Sequence, residues 1–340
     1  MGIRGLTGWI HWAAAQTVQE PNWQLYSGKK VGIDILGLLY KAKAQRQSPM
    51  LYISRLIAAC KKYNILPVPI FDGKPPEEKR EALKLRTAVR ARSEIKKQQL
   101  ILELATINVP EEKREIVNSA LHTLELNTSY FTSDERDLAK QLFYACGISS
   151  YNATGEADNV LAYFSKRGEL AAVISNDFDL LTRGVETLLV PDSYALPGDL
   201  SGWKHYSLST ILGAAEFTYN QFVDMCVLMG CDYTVGCVNL QYRSAYWAIK
   251  YRGSLENTLN HYKVYDKLPY MKAIEILVGN MDTHAMLMGD KQWDKWACSG
   301  SVHVEPETLL KFRGMYLAGL DSPTFDLLGY NFCEDPTDGG

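Results

Sequence analysis

The sequence predicts an α/β protein with a largely parallel central sheet flanked by helices. Three observations carry this. Short apolar runs at residues 30–34 (KVGID), 66–71 (LPVPIF) and 170–175 (LAAVIS) end on polar or turn residues, as buried strands do. Helical patterns lie between them at 49–63, 134–146 and 157–167. Acidic residues follow each of these strands, where open parallel sheets place their active sites.

The composition allows such a core. The chain has 340 residues, 46% of them hydrophobic and 22% charged, enough to fold without disulfide or metal staples. No apolar run reaches the roughly 18 residues of a membrane-spanning helix, so no membrane partner is expected. The start MGIRGLTGWIHWA lacks the pattern of a secretory signal, and Leu6 stands where a myristoylation motif needs Ser or Thr. Seven scattered cysteines form no Cys-x-x-Cys pair, which fits reduced thiols in an intracellular protein. Cys226, Cys231 and Cys237 are close together, yet no His follows at zinc-finger spacing.

Taken in order, the elements divide the chain at 74, 133, 216 and 275. Residues 1–74 hold the first two strands and a helix at 49–63. Residues 75–133 read as a helical excursion from the sheet, opened by Pro75 and Pro76. Its start is basic: residues 74–97 carry nine Lys or Arg against four Glu. Lys79, Arg86, Arg90 and Lys97, spaced 7, 4 and 7, fall on one helical face that reads as uniformly positive. Residues 134–216 return to the sheet. Residues 217–275 read as helical, with an apolar helix at Tyr219–Met229 stopped by Gly230 and another helix at 244–250. Residues 276–340 show small helical patches and an acidic, disordered-looking tail, CEDPTDGG.

Seven acids mark the chemistry. Asp34 ends the first strand and Asp72 follows the second; Glu156 and Asp158 open a helix in TGEADN; Asp177 and Asp179 follow the third strand in SNDFD; Asp232 lies beyond Gly230 in GCDY. Each alone reads as a cap or turn residue. Together at one sheet edge they repel, by about 4 kcal/mol for each pair some 4 Å apart at an effective dielectric of 20. Bound cations or protons must offset that, and all-carboxylate ligation suits Mg²⁺ or Mn²⁺. Glu156 and Asp158, two residues apart, can face one site only if Glu156 lies at or before the first turn or one acts through water. DFDLL also resembles the Asp-x-Asp nucleophile motif of haloacid-dehalogenase-type phosphatases. Leu181 stands in its Thr/Val position, and that reading leaves Asp34, Asp72 and the basic helix unexplained.

With these residues in view, the chain resembles the flap endonuclease (XPG-like) family of structure-selective 5′ nucleases. MGIRGL, VGIDILGLLY, PIFDGKPPEEKREALKLR, ATGEADNVLAYF, ISNDFDLLTRG and FVDMCVLMGCDY match its motifs in order, across roughly residues 1–275. The resemblance implies a PIN-like 5′ nuclease core, a helical arch at 75–133, a helix-two-turn-helix-like region at 217–275 and branched or flapped DNA as substrate. It also implies two Mg²⁺ ions, for which Mn²⁺ can substitute. Asp72, Glu156 and Asp158 would serve one ion and Asp177, Asp179 and Asp232 the other, while Asp34 would bind metal-bound water. Lys79 and Arg86 fall on the arch residues that clamp the scissile phosphate. Gly2 and Arg4 fall in the N-terminal segment that approaches DNA near the junction, and Tyr40 on the aromatic that stacks near the scissile nucleotide. Arg90 and Lys97 extend the basic face, and Gly236 and Arg243 are candidate phosphate contacts.

Two departures stand out. Asn239 and Gln241 occupy the positions of the two hairpin glycines in TVGCVNLQYRSA, which weakens the expected grip on duplex phosphates. No clamp-binding box or Lys-rich tail is visible, so sliding-clamp recruitment is not expected and a monomer is. This compact form is similar to copies carried by large DNA viruses, which would place it at a nuclear or cytoplasmic site of DNA replication. The competing functions are a 5′→3′ exonuclease or junction resolvase of the same family, and a junction-binding recombination factor with vestigial nuclease activity.

Overall fold

Asp34 closes a strand and begins a helix within two residues, and that junction sets the geometry of the molecule. The strands are β1 (Lys30–Asp34), β2 (Leu66–Phe71), β3 (Tyr151–Asn152), β4 (Ala172–Ile174), β5 (Thr187–Pro191) and β6 (Trp203–Ser207). In this computed structural model, which describes residues 2–106, 111–192, 198, 200–237, 240–279 and 303–330, they form one six-stranded sheet ordered β3-β2-β1-β4-β5-β6. Neighbours from β3 to β5 pair in parallel, and β6 pairs antiparallel with β5. The chain steps from β1 towards β3 on one side, then returns to lay β4 on the other. The crevice of such a sheet opens at that reversal, beyond the carboxyl ends of β1 and β4. Register aligns Asp34 with Ile70 and Ile33 with Ile174, so the residues after β1, β2 and β4 share one edge.

Sequence reading found three of these six strands. β3 has two residues, too few to show a period, and β6 (WKHYS) buries only Trp203 and Tyr206 between polar neighbours. The expected strand at 170–175 is shorter, Ala172–Ile174, with Leu170 and Ser175 outside it.

The chain forms two compact units. The first, Met1–Pro75 with Ala139–Gly340, contains the sheet. Its helices include α1 (Leu6–Ala13), α2 (Ile35–Ala44) and α3 (Pro49–Lys62). The second is Pro76–Leu138, reaching five residues beyond the 75–133 segment read from sequence. There α4 (Arg80–Thr106) packs against α5 (Glu111–Thr128), and α6 (Ser133–Ala145) begins. Back in the first unit, α7 (Ala157–Lys166), α8 (Asp179–Thr182) and α9 (Leu208–Ala215) precede a helical region of α10 (Tyr219–Met229), α11 (Tyr242–Arg252), α12 (Leu255–His261) and α13 (Leu268–Val278). Thr218 and Gln221 close a reciprocal capping box at the start of α10. The helix Ser322–Leu328 packs on α3, where the Lys61 amine donates to the carbonyls of Cys146 (2.7 Å) and Leu328 (2.6 Å). The described cysteines are free thiols, and none of the described helices is long and apolar enough to cross a membrane.

Candidate active site

The acids of the sheet edge are anchored one by one by backbone amides. Asp34 caps α2, accepting from the Gly37 amide at 3.2 Å, and its other oxygen accepts from the Ser175 hydroxyl at 2.7 Å. Ser175, fully buried just beyond β4, also accepts from the Asp177 amide at 2.9 Å, so one hydroxyl sets both acids. Asp177 accepts from the Asp179 amide (2.9 Å), and Asp72 from the Ala157 amide at the start of α7 (2.8 Å). Asp179 accepts from the Ile3 amide at 2.8 Å, which brings residues 2–4 to the site. Except in Asp34, these bonds use one carboxylate oxygen.

The segment from Gly2 to Arg4 is held closely. Gly2 has φ +104°, and a Cβ there would lie 2.9 Å from Asp179 Oδ1 and 3.3 Å from Asp177 Oδ1. The Arg4 amide donates to the Gly230 carbonyl at 3.0 Å, while its side chain is exposed. Gly230 and Gly236, both with positive φ, pack backbone to backbone; a Cβ at Gly236 would meet Gly230 N at 2.5 Å. Their contact closes the turn that carries Asp232 and Tyr233. Gly236 is therefore buried, and its carbonyl accepts from the Tyr270 hydroxyl at 3.3 Å. Val235, next to it in that turn, is exposed.

Glu156 occupies the N-cap position of α7 and Asp158 its first turn. The two acids can thus face one site despite standing two residues apart. Glu156 accepts from the Tyr233 hydroxyl at 2.8 Å and the Arg183 guanidinium at 3.3 Å. Arg183, at the end of α8 and 3% exposed, also donates to Tyr233 Oη (2.9 Å), the Asn159 side chain and the Ile276 carbonyl (3.3 Å). Burial works against its charge, but Tyr233, Asp158 and Glu156 raise its already high pKa. Arg183, Ser175 and Tyr233 carry this geometry, and sequence reading did not assign them roles. The signal available was their position inside the ISNDFDLLTRG and GCDY motifs.

Electrostatics binds the acids into one group. Burial first, then Asp72, raises Asp34 to about 6. Burial and Asp177 raise Asp179 to about 8. Half-buried Asp158 is pushed well above the carboxylate range by desolvation and Asp177, with Arg183 opposing. Among the described residues, no three side chains stand as a ready ligand cluster for one ion. The donor chemistry nonetheless fits a hard divalent cation: the donors are carboxylate oxygens, and their mutual repulsion is what such an ion offsets.

The remaining candidates lie elsewhere. Tyr40 is half-buried on α2, and Arg243 is exposed on the first turn of α11. In the second unit, half-buried Lys79 ends the 3₁₀ turn before α4, and Arg86, Arg90 and Lys97 share the less exposed face of α4 with buried Ser93. Lys97 is ion-paired with Glu94 at 3.0 Å, and Arg90 sits over the Tyr130 ring at 5.5 Å. The uniformly positive face expected from spacing is corrected accordingly, because Glu94, three residues back, reaches Lys97. Asn239 lies outside the described residues, and Gln241 is the exposed N-cap of α11.

Comparison with known proteins agrees with this layout. The sequence model of the XPG N-terminal domain matches residues 1–93, and that of the XPG I-region matches 147–232. Flap endonuclease 1 of Entamoeba histolytica is 30% identical over 297 residues, covering 82% of this chain and 76% of its own length. The catalytic core of Rad2 in complex with DNA substrate superposes with a TM-score of 0.60 at 16% identity, over 96% of this chain and 98% of that one. The Holliday junction-resolving enzyme GEN1, solved with product DNA and Mg²⁺, gives 0.57 at 14% identity, over 93% and 73%.

Proposed function

The chain belongs to the flap endonuclease family of XPG-type, structure-selective 5′ nucleases, and from that premise we propose that it hydrolyses phosphodiesters of 5′-flap DNA at the single-strand/double-strand junction with two Mg²⁺ ions. The observation that carries the reading is the convergence of Asp34, Asp72, Asp158, Asp177 and Asp179 at the carboxyl edge of β1, β2 and β4. The family is metal-dependent; bound ions supply an activated water and charge for the leaving 3′ oxygen.

The side chains divide the remaining work. Asp72, Asp177 and Asp179 each have an oxygen held by a backbone amide, which orients the carboxylate toward a ligand. Both oxygens of Asp34 are engaged, which suits orienting a water better than direct ligation. Arg183 and Tyr233 position Glu156 beside Asp158. Asp232 completes the acid set from its turn. Lys79 and Arg86 are assigned to the charge that develops on the phosphate. Gly2, Arg4, Tyr40 and Arg243 are the proposed DNA contacts outside the arch.

Single-turnover cleavage of a 5′-flap DNA with Mg²⁺, beside the same substrate with Ca²⁺, tests this. Incision next to the junction with Mg²⁺ alone is the expected result. Tight binding in Ca²⁺ without cleavage in Mg²⁺ would overturn it in favour of a junction-binding scaffold. A fold likeness to GEN1 comparable to that with Rad2 keeps a resolvase in view. Cutting a four-way junction faster than a flap would establish that reading instead.

A further inference from the structure

Helix α11 carries aromatic rings on its solvent side, where a surface helix ordinarily carries charge. Trp247 is 44% exposed and Tyr251 77%. One turn apart, their rings stack at 5.3 Å with 20° between planes. One turn earlier stands Arg243, its guanidinium 5.5 Å from the Trp12 ring and 5.8 Å from the Tyr242 ring. Trp12, in the last turn of α1, is itself partly exposed. The strip is rigidly backed. Ala245, Ala248 and Ile249 are buried beneath it, Tyr246 stacks on Phe217 at 4.8 Å, and the Tyr242 ring lies against Gly5 and Gly8 of α1.

Along α11 itself the charge has one sign. Between Asp232 and Glu256 the sequence holds no acid, while Arg243, Lys250 and Arg252 are all basic. Lys250 is engaged by Glu216 at 2.9 Å, and Arg252 sits over the Tyr262 ring at 5.7 Å. Flat π-faces bordered by guanidinium groups complement a strand of nucleobases on phosphates, because any base can stack and every phosphate is anionic. Four-residue spacing sets successive side chains about 6 Å apart along the helix, so that each can meet a different base of an extended strand.

We infer that the strip Trp12–Arg243–Trp247–Tyr251 is a stacking platform for a single-stranded DNA segment of the substrate. The inference rests on the nuclease reading only for its choice of nucleic acid.

The test is fluorescence anisotropy of the whole chain in Ca²⁺, with three DNAs: a junction with a thymidine arm, the same junction with an abasic arm, and the armless nicked duplex. Trp247→Ala/Tyr251→Ala is expected to bind the thymidine-armed junction at least about tenfold more weakly, the scale of one lost base–aromatic stack. It should retain armless binding, and the wild type should bind the abasic arm as weakly as the variant binds the thymidine arm. If the double variant does not fold, Trp247→Leu, which keeps apolar bulk without a flat face, must show the same loss. Equal wild-type affinity for thymidine and abasic arms overturns the platform. So does a variant that keeps its DNA affinity but loses self-association in sedimentation, which assigns the strip to a protein contact. Failure of wild-type cleavage in Mg²⁺ with the arm effect intact would count against the nuclease reading alone.

Discussion

At the scale of single residues, Arg183 is the group on which the acid cluster leans. It is buried, bonded to Glu156, Asn159 and Tyr233, and the positive charge that opposes the raised pKa of Asp158. Arg183→Gln removes that cation from among buried carboxylates, a change that costs about 3–5 kcal/mol when one partner of a buried pair is lost. A fall of that size in the unfolding free energy, read as a lowered urea midpoint, is expected, and an unchanged midpoint would show the charge to be dispensable. Asp177→Asn is a contrasting case. It removes a charge while keeping shape and an oxygen for the Asp179 amide, so junction binding in Ca²⁺ should persist and cleavage in Mg²⁺ should vanish. Unchanged cleavage would remove Asp177 from the metal site. The acids were legible in sequence because each follows a strand or lies in a compact motif. Arg183 was not, since an arginine ending a short helix reads as surface charge, and only its three-dimensional partners reveal otherwise.

At the scale of elements, the parallel strands β1 and β2 were legible as apolar runs, whereas β3 and β6 were not, one too short and the other half polar. Spacing placed four basic residues on one helical face, three of them within α4, but could not show that Glu94 reaches Lys97 or that this face is the less exposed one. The C-terminal helices were opaque for another reason: the contact that docks Ser322–Leu328 comes from Lys61, some 260 residues earlier. Burial lowers the Lys61 ammonium to about 8, yet it donates to both carbonyls. Lys61→Met keeps the stem and strands those carbonyls, a loss of about 1–3 kcal/mol. Hydrogen exchange should then quicken across Ser322–Leu328 and hardly change in β1. Uniform quickening, or none, would mean the helix is held by apolar packing instead.

At the scale of the whole molecule, the acid cluster makes stability depend on pH with a definite sign. Asp34 and Asp179 titrate at about 6 and about 8 in the folded protein, above the carboxyls of an unfolded chain. Between those values and the ordinary carboxylate range the native state holds more protons, so stability falls as pH rises. The loss, on the order of a few kcal/mol, is complete above the folded values and absent well below them. In chelator, the melting temperature should drop between about pH 5.5 and pH 8.5, and Ca²⁺ should restore it at the upper end by binding the native state. A flat or rising profile would sink this account. The bond from the Ile3 amide to Asp179, 176 residues apart, has a temporal meaning as well. On the ribosome residues 2–4 are made roughly 175 residues before Asp177 and Asp179, the carboxylates they close over, and well over 200 before the Gly230 carbonyl that holds Arg4. The acid edge thus cannot be closed by its own upstream segment until Gly230 has been made, so the candidate site is completed by a late, non-local contact.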